Sequence, residues 1–331
     1  MATGAIIGIA YSIVTGGTPT YGACIGAAIL GGITVFEQYY VQQRWGEWLR
    51  RSSLLVFVSV SAVVWTVLIL LSLYLIPGLL GSPPGWFAER FAQGAFTTDM
   101  TFSAVVALLL NTAMRLRTLV GGRVLINFLS GQYRHPIEEE RIFLFLDLIG
   151  STTIAEQLGP VRYHAFLRDF IETIEISVHN FGGEIYQYVG DEVVTTWPVR
   201  DSRVNGRAVA CHFAMVDAIE RRKTYFERKY AAVPAFSSGI HCGEVIAGEI
   251  GDQRKQIVFV GDVVNTASRI QAQARAHGRG LMLSETLLSR IELPVGVQAK
   301  ELGMIALKGK VEPVELFEAV DRREAIPASA N

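Results

Sequence analysis

The sequence predicts an α+β protein in which a ferredoxin-like βαββαβ domain follows an all-α transmembrane anchor of about four helices. Three observations carry this. Acidic and basic residues are absent from Met1 to Phe36, and again from Ser52 to Ala88. The second half alternates short apolar runs with amphipathic stretches in the order strand, helix, hairpin, helix, strand. The whole chain is 50% hydrophobic and only 18% charged, with a mean hydropathy of +0.32, against the roughly 25% charge of soluble domains.

With 331 residues there is room for roughly two domains. A net charge of −1 gives no basic face, so nucleic acid is not an expected partner. Cys24, Cys211 and Cys242 form no closely spaced pair, which argues against a disulfide framework and a Cys-rich zinc site.

Taken in order, the first apolar stretch divides at Gly16-Gly17-Thr18-Pro19-Thr20 into two legs, near 2–16 and 20–36. No basic residues precede it, which disfavours a signal peptide. Gly4, Gly8, Ser12 and Gly16 recur every four residues, as do Gly22 and Gly26, a spacing that lets helix backbones pack closely in lipid. Leu54–Ile76, within a span near 54–77, is the strongest membrane helix, since about 20 apolar residues suffice to cross. A fourth span near 96–114 needs to begin at Phe96 and to hold Asp99 at its edge. Arg44, Arg50 and Arg51 follow the second leg, and Arg115, Arg117 and Arg123 follow the last span. Arginine marks the cytoplasmic side, so four crossings put the N-terminus and everything after Arg115 in the cytoplasm, below a multi-pass inner-membrane anchor. The spans hold no histidine and no ionisable group at mid-depth, which excludes a bis-histidine haem and argues against an ion pathway.

Residues 119–138 read as a helical linker, with Gly121–Arg134 helical until Pro136. Residues 139–320 then form the α+β domain, and 321–331 a flexible tail. Arg141–Leu148 is a buried strand and Val161–Phe181 an amphipathic helix, ended by Gly182-Gly183. Glu184–Val189 and Val193–Trp197 flank Gly190-Asp191 as a hairpin. A helix over Val204–Tyr230 and strands at Phe236–His241, Val245–Ala247 and Gln256–Val260 come next. A helix from Val263 to Ala276 and strands at Leu281–Leu283 and Val314–Val320 complete a single sheet with its helices on one face.

Asp147 ends the first strand, and the hairpin's first strand is expected beside it, with Asp191 at the tip. Two carboxylates at neighbouring strand ends repel unless cations neutralise them. A pair of Mg²⁺ or Mn²⁺ ions does so, in an arrangement suited to displacement at phosphorus. Leu148-Ile149-Gly150-Ser151-Thr152-Thr153 is a Gly turn leading into a helix, whose first N–H groups suit phosphate. After Gly261-Asp262, Asn265 and Arg269 share one helical face and suit ribose and phosphate oxygens.

FLFLDLIGST, YQYVGDEVVTTW, GIHCGEVIAGEIG and VFVGDVVNTASR, in this order and with these gaps, resemble the class III nucleotide cyclase catalytic domain over Glu140 to Val320. The four-span anchor and its HPIEEER junction look like those of bacterial membrane-bound members. The resemblance implies a homodimer binding ATP between two domains. Asp147 and Asp191, with the Leu148 carbonyl, would hold two metal ions. Amides from Ile149, Gly150, Ser151 and Thr152 would cradle the phosphates, and Lys308 of LKGK would bind the triphosphate, with Arg254 or Lys255 in a similar part. Asn265 would orient the ribose and Arg269 would stabilise the α-phosphate, both from the opposite subunit. Two positions depart from the pattern. Gln187 stands where adenylyl members usually carry Lys and guanylyl members Glu, and Val258 stands where Asp or Thr reads the base. Gln can donate and accept while Val can only pack. The implied activity is a membrane-anchored adenylate cyclase, with a guanylyl or dual-specificity enzyme, or a silent signalling module, as alternatives.

Overall fold

The computed structural model describes residues 2–15, 18–36, 48, 52, 54–81, 85–120, 130–200, 205–253 and 255–321. Gly16, Arg44, Arg50, Arg51, Arg123, Arg254, most of the expected linker helix and the tail after Asp321 lie outside the described residues. The chain divides into two compact units, Met1–Leu125 and Ile126–Asn331.

The first unit is helical: α1 (Ala2–Thr15), α2 (Pro19–Val35), α3 (Leu54–Leu79), α4 (Trp86–Ala92) and α5 (Ala95–Val120). The small-residue stripes meet each other within one chain. A Cβ on Gly4 would strike the Gly26 carbonyl, and one on Gly8 the Gly22 carbonyl, so α1 and α2 touch backbone to backbone. Between α2 and α3, Ile33, Trp65, Ile69 and Leu73 form a buried cluster. Asp99 is buried: Tyr11 donates to its Oδ1 at 2.8 Å while the Tyr11 ring stacks on Phe102 at 4.2 Å. Among the described residues one stretch, Ser59–Leu79, is long and apolar enough to cross a membrane. Gly4–Val14 and Pro19–Val35 are apolar but shorter. The described end of the linker turns at Gly131 (φ 67°), where Arg134 N–H donates to the Gly131 carbonyl at 3.1 Å.

The second unit is a mixed sheet with order β2-β3-β1-β4-β6-β8-β7, and with β5 paired to β4. In chain order its elements are β1 (Ile137–Leu148), α6 (Ser151–Leu158), α7 (Pro160–Asn180), β2 (Glu184–Val189), β3 (Glu192–Pro198), α8 (Arg207–Arg221), α9 (Lys223–Tyr230), β4 (Phe236–Ile250), β5 (Gln256–Val260), α10 (Asp262–Ala276), β6 (Leu281–Ser284), α11 (Glu285–Leu288), β7 (Val297–Ile305) and β8 (Val314–Asp321). β1 is central and buried without interruption from Arg141 to Leu148, as a strand covered on both faces must be.

Five expectations change. The helix expected over Val204–Tyr230 is two, α8 and α9, divided at Arg222. The neighbour of β1 is β3, the hairpin's second strand, with Leu146 opposite Val193. β4 is one strand across the two segments expected, because Gly243 stays in register opposite Arg141. β7, which lacks a strong apolar run, is a further strand. Helices cover both faces. Ser238 turns to α8, where its hydroxyl meets His212 Nδ1 at 3.0 Å, while a Cβ on the next residue, Gly239, would strike the backbone of Gln271 in α10. Successive residues of a strand face opposite ways, so α8 and α10 lie on opposite sides.

Burial holds His212 neutral, its imidazole pushed down to about 3 from 6.5. The sign follows directly: below the ordinary value the unfolded chain binds a proton that the folded chain refuses. Stability should therefore fall as pH drops from about 6.5 towards 3, this one group adding a slope of up to about 1.4 kcal/mol per pH unit. Denaturant melts of His212→Gln should show a shallower decline over that window than wild type.

Candidate active site

The turn after β1 and the β2–β3 turn lie at one end of the sheet, because β1 pairs antiparallel with β3. That pairing brings Asp147 beside Asp191, both buried or half-buried. Asp191 Oδ2 is buried without a hydrogen-bond partner. Arg275, in the last turn of α10, reaches across to Asp147 Oδ2. Burial and the Asp191 carboxylate push the Asp147 carboxyl above its usual range, against the pull of Arg275. Glu192 is raised for the same reasons, by burial and by Asp147 and Asp191. Tyr163, within hydrogen-bonding reach of Ser151, is also raised, by burial and by Asp191.

This crowding fits a divalent cation. A buried carboxylate oxygen with no donor is satisfied by a hard cation, and Mg²⁺ takes one or two carboxylates and completes its shell with water or phosphate oxygens. Among the described residues no three His, Cys, Asp or Glu side chains form a closed ligand cluster, so the protein's side-chain share is the carboxylate pair.

Next to the pair, Gly150 adopts φ 70° and opens α6. The first intrahelical bond is from Ile154 N–H to the Gly150 carbonyl at 3.0 Å, leaving the amides of Ser151, Thr152 and Thr153 without helical acceptors. Ile149 differs from the expectation: its N–H already donates to the Ala235 carbonyl at 2.8 Å, so it cannot also serve an anion.

The second group of residues gathers at the other end of α10. Asp262 opens the helix and is bridged by Lys310 at 2.9 Å, which holds its carboxyl below the usual range. The loop carrying Lys308 is thereby tied to α10, and a Cβ on Gly309 would lie 3.1 Å from Arg269 Nη2. Asn265 and Lys308 are exposed and Arg269 half-buried, so three polar groups share one surface. Lys255 pairs with Glu249 at 3.4 Å. Asn265 precedes Arg275 by ten residues, which is about 15 Å of helix. Within one chain the carboxylate pair and Asn265 therefore stand at opposite ends of one rod.

Gln187 and Val258 are half-buried on β2 and β5. Their neighbours touch: the Phe259 N–H donates to Tyr186 Oη at 3.4 Å, with the two rings edge to face at 5.0 Å. Sequence reasoning missed Arg275, Tyr163 and Glu192. Arg275 is offset by six residues from Arg269, so it lies on another part of the helix surface and carries no motif of its own.

The family model described as "Adenylate and Guanylate cyclase catalytic domain" matches residues 135–318. The chain is 31% identical to Adenylate cyclase 2 of Rhizobium meliloti over 306 residues, 92% of this chain and 84% of that protein. A match of that length extends well into the helical unit. Adenylate cyclase 1 of the same organism is 28% identical over 198 residues, covering 58% of this chain but 29% of that protein. In fold, the chain is similar to the crystal structure of an adenylyl cyclase from P. aeruginosa, with a TM-score of 0.51 and 22% identity over 58% of this chain and 99% of that one.

Because Asp191 is a named cause of the upward shift at Asp147, Asp191→Asn should lower the Asp147 titration in the cation-free protein. Carboxyl ¹³C NMR across pH 2 to 8 (a window of about six units around the carboxylate range) reads this directly. An unmoved or raised Asp147 would show that the two groups do not interact.

Proposed function

This chain belongs to the adenylate and guanylate cyclase family and carries a class III nucleotide cyclase catalytic domain, and on that premise we propose that it is a membrane-anchored adenylate cyclase acting as a homodimer. The reaction closes ATP to 3′,5′-cyclic AMP: the 3′-oxygen attacks the α-phosphorus, the bond to pyrophosphate breaks, and the 3′-proton is released. The observation that carries the dimer is the separation along α10. Asp147, on β1, is met by the last turn of α10 through Arg275, while Asn265 lies near the start of that helix, and on this reading a second chain supplies the Asn265 half.

Each residue then has a task. Asp147 and Asp191, with the Leu148 carbonyl, would hold Mg²⁺ or Mn²⁺, whose chemistry when bound is to acidify the 3′-hydroxyl and neutralise the leaving phosphates. The amides of Gly150, Ser151 and Thr152 would face the β- and γ-phosphates, with the dipole of α6 behind them. From the partner subunit, the Asn265 position would orient the ribose and the Arg269 position would supply fixed positive charge at the α-phosphate. The Lys308 position, held by the bridge at Lys310, would grip the triphosphate. On the outer hairpin of β4 and β5, Ile246 lies opposite Val260, and with Ile250 they expose an apolar surface suited to a second copy. The retained Asp147, Asp191, Asn265 and Arg269 argue against a silent module.

Ser59–Leu79 supports attachment to the inner membrane, and the Gly4/Gly8 and Gly22/Gly26 contact supports α1 and α2 inserting as a tight pair. On this reading the anchor crosses four times, leaves the catalytic domain in the cytoplasm, and raises the effective concentration of partners by confinement.

If the site is shared, Asp147→Ala and Arg269→Ala are each inactive alone, yet co-expression should return part of wild-type cyclic AMP synthesis through one intact site per mixed dimer. Activity no greater than that of either parent would exclude the shared site.

Base choice rests on Gln187, since Val258 can only pack. A buried polar partner left unmatched costs about 1–3 kcal/mol, or roughly five- to over a hundredfold. Gln187→Lys should therefore raise the ATP-to-GTP ratio of kcat/KM, and Gln187→Glu should lower it. Were the ratio unchanged in both, Gln187 would not touch the base.

A further inference from the structure

The contact between Arg275 and Asp147 is an ion pair between two ends of the fold, the last turn of α10 and the last residues of β1. Its two members differ in exposure. The Asp147 side chain is 12% exposed and fixed in the sheet, while that of Arg275 is 47% exposed on a long stem. The pair is also incomplete as a neutraliser. Arg275 meets Asp147, yet Asp191 Oδ2 next to it stays buried without a donor, and Glu192 adds a third carboxylate to the neighbourhood. One guanidinium therefore faces a cluster that carries more negative charge than it can cancel.

We propose that Arg275 is a built-in competitor for the divalent cation at Asp147: its guanidinium holds the carboxylate in the cation-free chain and must leave before the ion can bind. This inference rests on the reading of Asp147 and Asp191 as metal ligands. A dication and a guanidinium at Asp147 draw on the same carboxylate charge and repel each other at that range, so binding of one expels the other. The fraction of chains with Asp147 released then multiplies the intrinsic affinity for the ion. Arg275 is in this sense a positioning residue. It keeps the Asp147 carboxyl aimed and charged while no cation is bound, and it sets how much free Mg²⁺ or Mn²⁺ is needed to displace it.

The test is a Mn²⁺ titration of the purified full chain without nucleotide, followed by the loss of the free-ion EPR signal. Arg275→Gln, which keeps most of the stem and removes the charge, should bind Mn²⁺ about fivefold more tightly than wild type, the factor of a partly exposed ion pair. Arg275→Lys keeps the charge and should stay within about twofold of wild type. The gap between wild type and Arg275→Gln should narrow as salt is raised, because the ion pair is screened. Equal or weaker binding in Arg275→Gln overturns the proposal, and so does tightening of the same size in Arg275→Lys. Asp147→Asn separates this from the underlying reading. If it binds Mn²⁺ as wild type does, Asp147 is no ligand and the metal assignment itself fails. If it loses Mn²⁺ while Arg275→Gln matches wild type, only the competitor fails. Absence of Mn²⁺ binding in wild type and Arg275→Gln alike overturns both.

Discussion

The seat of α10 on β4 is the constraint on which the catalytic unit depends. A helix normally stands off a sheet by the thickness of two layers of side chains. Here Gly239 has none, and the backbone of Gln271 occupies the space a Cβ would need. Gly243 repeats the arrangement about two turns nearer the helix start, where a Cβ would strike Val263. With both glycines in place, α10 lies flat against the strand and its position along β4 is set at two points. Its last turn then reaches β1, where Arg275 meets Asp147, and its N-terminal half presents Asn265 and Arg269 on the surface tied by Lys310. A larger residue at Gly239 would move both ends of the helix at once, and with them both halves of the site.

Charge explains why the first half can exist. Asp147, Asp191 and Glu192 lie together, and burial raises the carboxyls that it covers. Such a group persists in a fold only when positive charge offsets the repulsion. Arg275 supplies one charge in the cation-free chain, while Asp191 Oδ2 remains without a donor. On the proposed reading the residual negative charge draws hard cations, and the α6 amides beside it add attraction for phosphate. The two kinds of attraction, for cation and for anion, stand side by side because the turn after β1 runs straight into the start of α6.

Much of this was legible from residue pattern alone. The run Arg141–Leu148 reads as buried because nothing polar interrupts it before Asp147, and Gly190-Asp191 reads as a turn because the flanking segments alternate. Local pattern does not specify which hairpin strand lies against β1, since both strands are apolar enough to pair with it. The sides taken by the helices were hidden for a similar reason: α8 and α10 are both amphipathic, and only Gly239 and Ser238, adjacent on one strand, reveal that they lie on opposite faces. The engaged amide of Ile149 depends on Ala235, distant in sequence, and Arg275 depends on the seat of α10. In the helical unit the spacing of Gly4, Gly8, Gly22 and Gly26 pointed to close packing, but not to its occurrence within one chain. Among the described residues one stretch, Ser59–Leu79, reaches spanning length and hydropathy, while Gly4–Val14 and Pro19–Val35 are apolar but shorter.

The two positions proposed to read the base lie on elements that never pair. β2 lies at one edge of the sheet, and β5 extends from β4 on the other side of β1 and β3. Nothing in the ladder joins them, yet Tyr186 meets Phe259 in an edge-to-face contact reinforced by a backbone hydrogen bond. Beneath it, Arg141 stacks on Phe259 at 4.5 Å and pairs with Glu139 at 2.6 Å, so the aromatic bridge rests on a buried ion pair in the central strand. Gln187 and Val258, each next to one member of the bridge, are therefore held at a set separation although their strands are not neighbours. On the cyclase reading, Gln187 contributes an amide and Val258 an apolar side chain to the base site. An amide can meet either purine edge by turning over, whereas an ammonium or carboxylate commits to one. On that reading the bridge restrains the backbone at both positions, and the choice of purine falls to the rotatable amide of Gln187.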